Sequence, residues 1–256
     1  MLIPRVFHQI WVGPNPFPEE LARCQETWLR HNPGWELRFW TEENLPEGLR
    51  RPEIYERLRV PAERADMLRL ELVWRFGGVY VDADFECLRP IEPLIEDVDF
   101  FAGYRKPGRV NNALFGAVAG HPLLARAIRE LRPREMYGPV DKEGTGPRLL
   151  NRLVNEFPEV TIFAQEFFYP RTPEARRSAY AYHHRARSWY PAESLQPKLV
   201  EAEQRLREAQ DEALEWRLRC GRAEAGLARL KNGSSPLLRL RRLLVRNGPR
   251  RGPHAA

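Results

Sequence analysis

Several features of common protein classes are scarce or missing in this chain of 256 residues. Its three cysteines, Cys24, Cys87 and Cys220, lie far apart and lack the spacing of metal ligands, so we expect no disulfide framework and a reducing compartment. No segment approaches the roughly 18 consecutive apolar residues of a membrane-spanning helix. The amino-terminal segment MLIPRVFHQIWVG lacks the uninterrupted apolar core of a signal peptide. We therefore predict a cytoplasmic protein.

Net charge is concentrated at one end of the chain. The formal charge is +6, and residues 232–256 contain six arginines and no acidic residue, so residues 1–231 are neutral. A nucleic-acid-binding protein more often carries its positive charge across a folded face, so we predict no nucleic-acid partner. Leucines and arginines of the tail fall on opposite helical faces. This pattern fits a peripheral contact with the anionic inner face of a membrane, although a solvated terminus explains it equally well.

The stretch 64–86, RADMLRLELVWRFGGVYVDADFE, combines two periodicities. Apolar or small residues recur at the spacing of an amphipathic helix: Ala65, Leu68, Leu72 and Phe76. The glycine pair at 77–78 ends this helix, and the β-forming residues 79–81 predict a short buried strand that runs into Asp82 and Asp84. Open α/β sheets bind ligands at the carboxyl ends of their strands, so this acidic pair marks a candidate site.

Asp82 and Asp84 are two positions apart, and between them stands Ala83. Their carboxylates converge where the strand curls into a turn, and there they can hold a hard divalent cation that also binds a substrate's phosphates. Acidic pairs also end many strands as solvated turn residues. The preceding helix favours the functional interpretation, because Asp66 and Arg69 lie three residues apart on one helical face.

The pattern A-D-x-L-R, an apolar run and G-G-x-Y-x-D-x-D resembles the core of the DXD-containing sugar transferases of glycosyltransferase family 32. The likeness spans residues 65–84 and extends more distantly to large glucosylating toxins. It implies an α/β, nucleotide-sugar-binding, Rossmann-like fold of the glycosyltransferase A kind. It also implies a reaction that retains anomeric configuration, with Asp82, Asp84 and Arg69 in catalytic roles.

Other segments resemble the same family. Residues 4–13, PRVFHQIWVG, are similar to its first motif and imply that Trp11 stacks on the nucleotide base, whereas residue type alone favours core roles for Trp11 and His8. The resemblance assigns Asp66 and Arg69 to donor hydroxyls and phosphate. It places further residues in the nucleotide-sugar pocket: Tyr80, Asn112, Gly146, Ser188 and Trp189. A purely structural role for the asparagine is equally open.

The segment 181–189, AYHHRARSW, is the last one that carries chemistry. Adjacent histidines alone are usually surface or core residues. Family members often place a histidine about six residues before a Ser-Trp pair, so the resemblance makes His183 the first choice for a metal ligand and His184 the second. An imidazole ligand suits Mn²⁺ better than Mg²⁺, which remains the alternative. Arg185 stands where relatives commonly have an aromatic residue.

The order of elements predicts three segments. Strand, helix and strand signals alternate from residue 3 to residue 40, as at the start of a nucleotide-binding α/β unit, and we predict a catalytic domain over residues 1–195. Residues 41–60 show no clear pattern, and 90–94 indicate a turn. A C-terminal helical extension over 196–231 keeps heptad spacing from 199 to 230, which fits a homo-oligomer or packing against its own domain. Residues 232–256 are the basic tail.

These predictions describe a metal-dependent retaining hexosyltransferase, with a UDP- or GDP-sugar donor and a saccharide or glycolipid acceptor, as in surface polysaccharide synthesis. No further carboxylate stands out as a nucleophile, and the family's usual proposal, in which the donor phosphate takes the acceptor proton, requires none. Two alternatives stay open. A metal-dependent nucleotide-sugar hydrolase or phosphotransferase would use the same carboxylates, and a catalytically idle scaffold would oligomerise through the heptads.

Overall fold

The computed structural model describes residues 2–132 and 146–186, together with Gln210, Glu212, Ala213, Trp216 and Arg217. The chain divides into two units, Met1–Trp189 and Tyr190–Ala256. The described residues of the second unit are helical and exposed, including Ala213 and Trp216 of the predicted heptad seam. The rest of that predicted helix and the basic tail lie outside the described residues, so both stay predictions, as does the predicted domain limit at residue 195.

Strands and helices alternate along the first unit. In order they are β1 (Val6–Ile10), α1 (Glu19–His31), β2 (Glu36–Trp40), α2 (Pro52–Tyr55), α3 (Pro61–Phe76), β3 (Gly78–Val81), β4 (Phe85–Cys87), α4 (Glu92–Ile95), β5 (Phe100–Lys106), β6 (Arg109–Ala117), α5 (Pro122–Glu130), α6 (Pro147–Leu153) with a short 3₁₀ helix (Val154–Glu156), β7 (Thr161–Phe163), α7 (Gln165–Phe168), α8 (Pro173–Ser178) and β8 (Ala181–His183). No helix among these described elements is both long enough and apolar enough to cross a bilayer.

Six of the strands form a mixed sheet in the order β2-β1-β3-β6-β5-β7. The strand β1 lies parallel to β2 and β3, β6 lies antiparallel to β3 and β5, and β7 lies parallel to β5. This arrangement confirms the predicted α/β sheet and its opening strand-helix-strand unit. The strands β4 and β8 pair separately as a small antiparallel sheet.

The two faces of the main sheet carry different apolar clusters. Helices α3, α5 and α6 contribute to one cluster, and α1, α7 and the small sheet contribute to the other. Trp28 of α1 fixes β4 directly, because its buried indole donates a hydrogen bond to the Phe85 carbonyl at 2.8 Å. The strand β4, which directly follows the acidic pair, is therefore anchored to the second apolar cluster.

The change from α3 to β3 depends on the glycine pair. Gly77 ends the helix with φ +64°, and Gly78 begins the strand with φ +97°, in the left-handed region that disfavours side chains. A Cβ atom on Gly78 would lie 2.5 Å from the Val6 carbonyl oxygen, inside any tolerable contact. Glycine at this position therefore lets β3 lie directly beside β1.

Helix α3 differs from the amphipathic helix that its spacing predicts. Every residue from Met67 to Val73 is buried, including Arg69 and Glu71. The reason is that α3 packs against β1, β3 and β6 on one side and α5 on another. The prediction of one apolar face is wrong for the middle of this helix, and its charged residues require partners inside the protein.

Two other segments also differ from expectation. The predicted turn at 90–94 contains the start of α4, and residues 41–60, which show no clear pattern, contain α2. Proline lies in the first turn of both helices, where it is tolerated because the first helical N–H groups need no helical partner. Ile54 and Leu58 are buried in the core, so this region is anchored.

His8 in β1 is fully buried and serves the core. Its Nδ1 accepts a hydrogen bond from Trp40 Nε1 at 3.1 Å, so the proton lies on Nε2, which donates to the Gly77 carbonyl at 2.8 Å. Burial lowers the pKa of His8 from 6.5 to about 4. The structure thus gives His8 the core role that its residue type favours.

Replacing His8 with glutamine is expected to reduce the acid sensitivity of folding. Between pH 6.5 and pH 4 the unfolded chain binds a proton on this histidine and the folded chain does not, so stability falls as pH falls through that window. Protonation of His8 in the unfolded chain lowers the free energy of unfolding by about 2 kcal/mol between pH 7 and pH 5. Urea unfolding at both pH values measures it. Other groups titrate alike in both proteins, so an identical pH dependence in His8→Gln would contradict the linkage.

Candidate active site

The carboxyl ends of β1 and β3 open onto a cleft of about 360 Å³. The segment after β1, the first half of α3 and the turn after β3 supply most of its wall. Residues of β5 and β6 complete it, together with Pro147, His183 and Arg185. A ligand site at the carboxyl ends of the strands is what an α/β sheet of this kind predicts. The cleft brings together most of the site residues that the sequence indicates.

The acidic pair lies in a tight turn, as predicted. The Asp82 N–H donates to the Ala113 carbonyl at 2.8 Å, so β3 stays paired with β6 up to this point. The Phe85 N–H then donates to the Asp82 carbonyl at 3.0 Å, which closes the turn and starts β4. Because the strand ends just before Asp82 and the chain then turns, both Asp82 and Asp84 line the cleft.

The small sheet brings His183 to this turn. In the antiparallel pairing of β4 with β8, His183 lies opposite Phe85, and the two rings stack with centroids 4.4 Å apart and planes 13° from parallel. The His183 Nε2 atom lies 3.2 Å from Asp84 Oδ1. Two segments that are far apart in sequence therefore meet through one register of strand pairing.

Asp82, Asp84 and His183 together offer a set of metal ligands. One ligand atom from each lies within 4.8 Å of the others, and no other group of this kind occurs in the described parts of the chain. Two carboxylates with one imidazole fit a divalent cation such as Mn²⁺ that accepts both oxygen and nitrogen, while phosphates or water supply the remaining positions. The donor set therefore fits the metal that the resemblance implies.

His184, the second choice as ligand, has a different environment. Its Nε2 lies 3.0 Å from Glu86 Oε2, and Arg176 Nη2 lies 2.6 Å from the same oxygen. The backbone N–H of His184 donates to the Asp84 carbonyl at 3.0 Å. The arrangement favours His183 as ligand and gives its neighbour a role in holding the small sheet.

Asp84 is held ionised by its surroundings. Burial alone would raise the pKa of Asp84, but the hydrogen bond and charge of His183 and the Ala186 N–H lower it below its ordinary value. That N–H donates to Asp84 Oδ2 at 2.7 Å, while Oδ1 faces the imidazole. The carboxylate is therefore ready to bind a cation at neutral pH.

Arg69 connects α3 to the acidic turn through an ion pair with Asp82. Its guanidinium lies 3.0 Å from Asp82 Oδ1 and 3.2 Å from Asp66 Oδ1, and it donates to the Asn112 carbonyl at 2.8 Å. Its side chain is only 8% exposed, and the Tyr80 ring lies 4.4 Å below the guanidinium. Burial disfavours the charge, but these neighbours outweigh it and hold the pKa of Arg69 above its ordinary value. Contact of Arg69 with donor phosphate stays a prediction.

Tyr80 orients the carboxylate of Asp82. Its hydroxyl donates to Asp82 Oδ1 at 2.6 Å, and burial keeps the pKa of Tyr80 well above its usual value, so the proton stays on the phenol. Asp82 Oδ1 thus accepts a hydrogen bond from Tyr80 and forms an ion pair with Arg69. The other oxygen of Asp82 has neither kind of contact among the described residues.

Asp66 and Asn112 also line the cleft. The Asn112 amide donates to Asp66 Oδ1 at 2.8 Å, and burial raises the pKa of Asp66 to about 6 against the opposing influence of Arg69. A Cβ atom on Gly146 would lie 3.2 Å from Asp66 Oδ2, so glycine there permits the backbone to lie close to this carboxylate.

Trp11 lines the mouth of the cleft. Its indole Nε1 donates to the Asn15 carbonyl at 2.8 Å, and the Phe17 ring packs edge-on against it with centroids 5.1 Å apart. These contacts fix the ring without covering it, since the side chain is only half-buried. The position suits the predicted stacking on a base.

Sequence reasoning did not assign four polar residues that line the cleft: Asn15, Arg105, Asn111 and Arg185. Arg105, for example, stands in no recognisable motif. Ser188 and Trp189 lie outside the described residues, so their predicted contacts with the diphosphate stay predictions.

Comparison with known proteins agrees with this geometry. A family model described as a glycosyltransferase sugar-binding region containing a DXD motif matches residues 18–101. An inositol phosphoceramide mannosyltransferase of Schizosaccharomyces pombe is 30% identical over 136 residues, which cover 50% of this chain and 37% of that relative. An uncharacterized glycosyltransferase of Acanthamoeba polyphaga mimivirus is 23% identical over 213 residues, covering 74% and 85% of the two chains.

A solved structure supports the fold. The glycosyltransferase PaToxG superposes with a TM-score of 0.50 at 14% identity, covering 61% of this chain and 70% of that chain. The present chain spans well under half the length of the yeast relative. These matches confirm the predicted glycosyltransferase A fold and the resemblance to glycosyltransferase family 32. Residues 18–101, which include Asp82 and Asp84, are the part similar to a DXD-containing glycosyltransferase sugar-binding region.

Proposed function

We propose that this chain is a metal-dependent, retaining hexosyltransferase that moves a sugar from a nucleoside diphosphate donor to a hydroxyl of a glycolipid acceptor. One observation carries the proposal. Asp82 and Asp84 of the β3–β4 turn meet His183 of β8 in a cleft whose mouth is lined by Trp11. A cation site beside an uncovered aromatic ring is what a metal-bound nucleotide requires.

Each group has a separate task in this proposal. A bound Mn²⁺ or Mg²⁺ would act as a Lewis acid that neutralises charge on the leaving diphosphate. Asp82 and Asp84 would hold the ion through the oxygens that face the cleft, and His183 would supply a nitrogen ligand. Tyr80 and Arg69 keep Asp82 in place, since both bind its Oδ1.

Retention of configuration is supported by how the carboxylates are used. The acids that line the described cleft are Asp66, Asp82 and Asp84. The last two form the proposed metal site, and Asp66 binds Arg69 and Asn112. No described carboxylate of the cleft is left to act as the general base of an inverting, back-side displacement or to form a covalent sugar intermediate. This favours attack by the acceptor on the face from which the diphosphate departs, with the donor phosphate accepting the acceptor proton.

The acceptor class is supported by the relatives rather than by the cleft. The S. pombe relative is named for transfer of mannose to inositol phosphoceramide. We infer a hexose donor and a lipid-linked acceptor for this chain, in preference to a free polysaccharide. The sequence of the basic tail, in which leucines and arginines alternate at a spacing that predicts an amphipathic helix, would bring the enzyme to an anionic cytoplasmic surface. Equal sedimentation with anionic vesicles of the full chain and of a chain ending at Asn232 would contradict this membrane role.

The test of the proposal is release of nucleoside diphosphate from UDP- and GDP-hexoses with Mn²⁺, with and without inositol phosphoceramide. A transferase releases the product only when acceptor and metal are both present, and a chelator abolishes the release. A hydrolase or phosphotransferase would release it equally without the lipid. An idle scaffold would release nothing and would gain no thermal stability from any donor with Mn²⁺.

Replacing Trp11 with alanine is expected to weaken binding of the donor nucleotide about tenfold to a hundredfold, because base stacking on an aromatic ring contributes about 1–3 kcal/mol. Calorimetric titration with the nucleoside diphosphate and Mn²⁺ measures the change. Trp216→Ala is the matched control, since that side chain is 68% exposed in the second unit. Equal affinity of the Trp11→Ala variant and the control would remove Trp11 from the nucleotide site.

A further inference from the structure

Two arginines that line the cleft, Arg105 and Arg185, have no role in the proposed metal site or in holding its ligands. Arg105 lies on β5 and Arg185 follows β8, and both line the cleft that contains Asp82, Asp84 and His183. Both side chains are exposed. Among the described residues, neither guanidinium forms an ion pair or a hydrogen bond, in contrast to buried Arg69. They are cations in the same cleft as the proposed metal ligands, and no anion of the described residues pairs with them.

The backbone at Arg185 is fixed by the acidic turn itself. The residues on either side of it, His184 and Ala186, donate their N–H groups to the Asp84 carbonyl and to Asp84 Oδ2. Arg185 has φ +60° and is the one non-glycine residue with positive φ in the described parts of the chain. A glycine would adopt this conformation with less strain. Arg185 therefore has a strained backbone conformation, and hydrogen bonds from the residues on either side of it to Asp84 hold that backbone beside a proposed metal ligand.

The charges of the cleft point to the ligand that these arginines would bind. With a divalent cation present, the three carboxylates of the cleft, Arg69 and the cation leave the site neutral. A nucleoside diphosphate sugar brings two negative charges on its diphosphate. Arg105 and Arg185 supply two positive charges, which balance the donor. Without them, no described side chain of the cleft would balance the charge of the diphosphate.

We propose that Arg105 and Arg185 bind the diphosphate of the donor and retain the leaving nucleoside diphosphate during transfer. This inference rests on the proposed function and adds the residues that recognise the phosphates. Arginine presents a fork of N–H donors that matches phosphate oxygens, and each such contact is charge-assisted. The exposed position of both side chains leaves them free to close on a ligand.

The step in which they act balances as follows. The bond between the anomeric carbon and the β-phosphate oxygen breaks, and its electron pair stays on that oxygen. The acceptor hydroxyl oxygen forms the new bond to the anomeric carbon, and its proton passes to the departing phosphate. Negative charge therefore grows on the β-phosphate before the proton arrives, and guanidinium groups bound to the diphosphate would stabilise that charge.

Calorimetric titration of the full-length protein tests the assignment. UDP and GDP are titrated with Mn²⁺, and the tighter-binding nucleotide is kept for the variants Arg105→Gln and Arg185→Gln. Each variant should bind the nucleoside diphosphate about tenfold more weakly or worse. Neither should alter Mn²⁺ affinity, thermal stability or the weak binding of the uncharged nucleoside. Arg185→Lys should recover part of the loss, and Arg171→Gln, at an exposed position outside the cleft, should cause none.

The possible results distinguish a failure of the proposed function from a failure of the arginine assignment alone. If the unchanged protein binds neither nucleotide in the presence of Mn²⁺, the proposed function and this inference both fail. If it binds a nucleoside diphosphate and both glutamine variants bind it with unchanged affinity, the arginine assignment is overturned and the proposed function stands. A loss of nucleoside binding or of Mn²⁺ binding equal to the loss of diphosphate binding would show a structural role and would also overturn the assignment.

Discussion

Asp84→Asn is expected to lower acceptor-dependent release of nucleoside diphosphate by about a thousandfold. The change removes the charge from the acid that faces His183, while it preserves the shape of the turn and its hydrogen bond from the Ala186 N–H. The leaving diphosphate then lacks a firmly held cation, and its developing charge is poorly compensated. Initial rates at saturating donor with Mn²⁺ measure the effect.

The control for this variant is Asp97→Asn, the same chemical change at an exposed position outside the cleft. Its rate should match that of the unchanged protein. Thermal unfolding of both variants separates a loss of function from a loss of fold. Turnover of Asp84→Asn within tenfold of the unchanged enzyme would show that the acidic pair does not hold a catalytic metal.

Arg69→Met is expected to destabilise the fold by about 3–5 kcal/mol, because it leaves buried carboxylates without their cation. Asp66 and Asp82 are only 18% and 26% exposed, and both lie within 3.2 Å of the guanidinium. The Asn112 carbonyl loses its donor as well. Urea unfolding at pH 7 measures the change in the free energy of unfolding.

Two further substitutions sharpen this experiment. Arg69→Lys should recover only part of the loss, because one ammonium group cannot reproduce the forked contacts to two acids. Arg75→Met on the same helix should change stability by about 0.5 kcal/mol or less, since its side chain is exposed. A change of similar size in Arg69→Met and Arg75→Met would contradict a central role for Arg69.

The acidic turn could be predicted from sequence because the signals that determine it are local. The glycine pair, the β-forming run and the two acids occupy consecutive positions, and each one restricts the backbone directly. The contact of Asp66 with Arg69 follows from helical spacing in the same way. The bond from Arg69 to Asp82 could not be predicted, because it depends on how α3 packs on β3.

Longer-range parts of the site required other information. His183 meets Asp84 through the pairing of β4 with β8, and a pair of histidines in a short segment carries no signal for its partner strand. Only family resemblance indicated it. Arg105 was missed for a similar reason, because a charged residue near the end of a strand is usually solvated. The burial of α3 on several sides was missed because its charged residues are satisfied by partners in distant segments.

Manganese binding measured by electron paramagnetic resonance tests the central claim most directly. Free Mn²⁺ is followed as protein is added in the presence of a nucleoside diphosphate. His183→Ala is compared with His184→Ala, which removes the same side chain from the adjacent position. If Asp82, Asp84 and His183 hold the ion, His183→Ala weakens Mn²⁺ affinity at least about tenfold and His184→Ala leaves it within a factor of about two. Equal affinities in the two variants would contradict the proposed metal site.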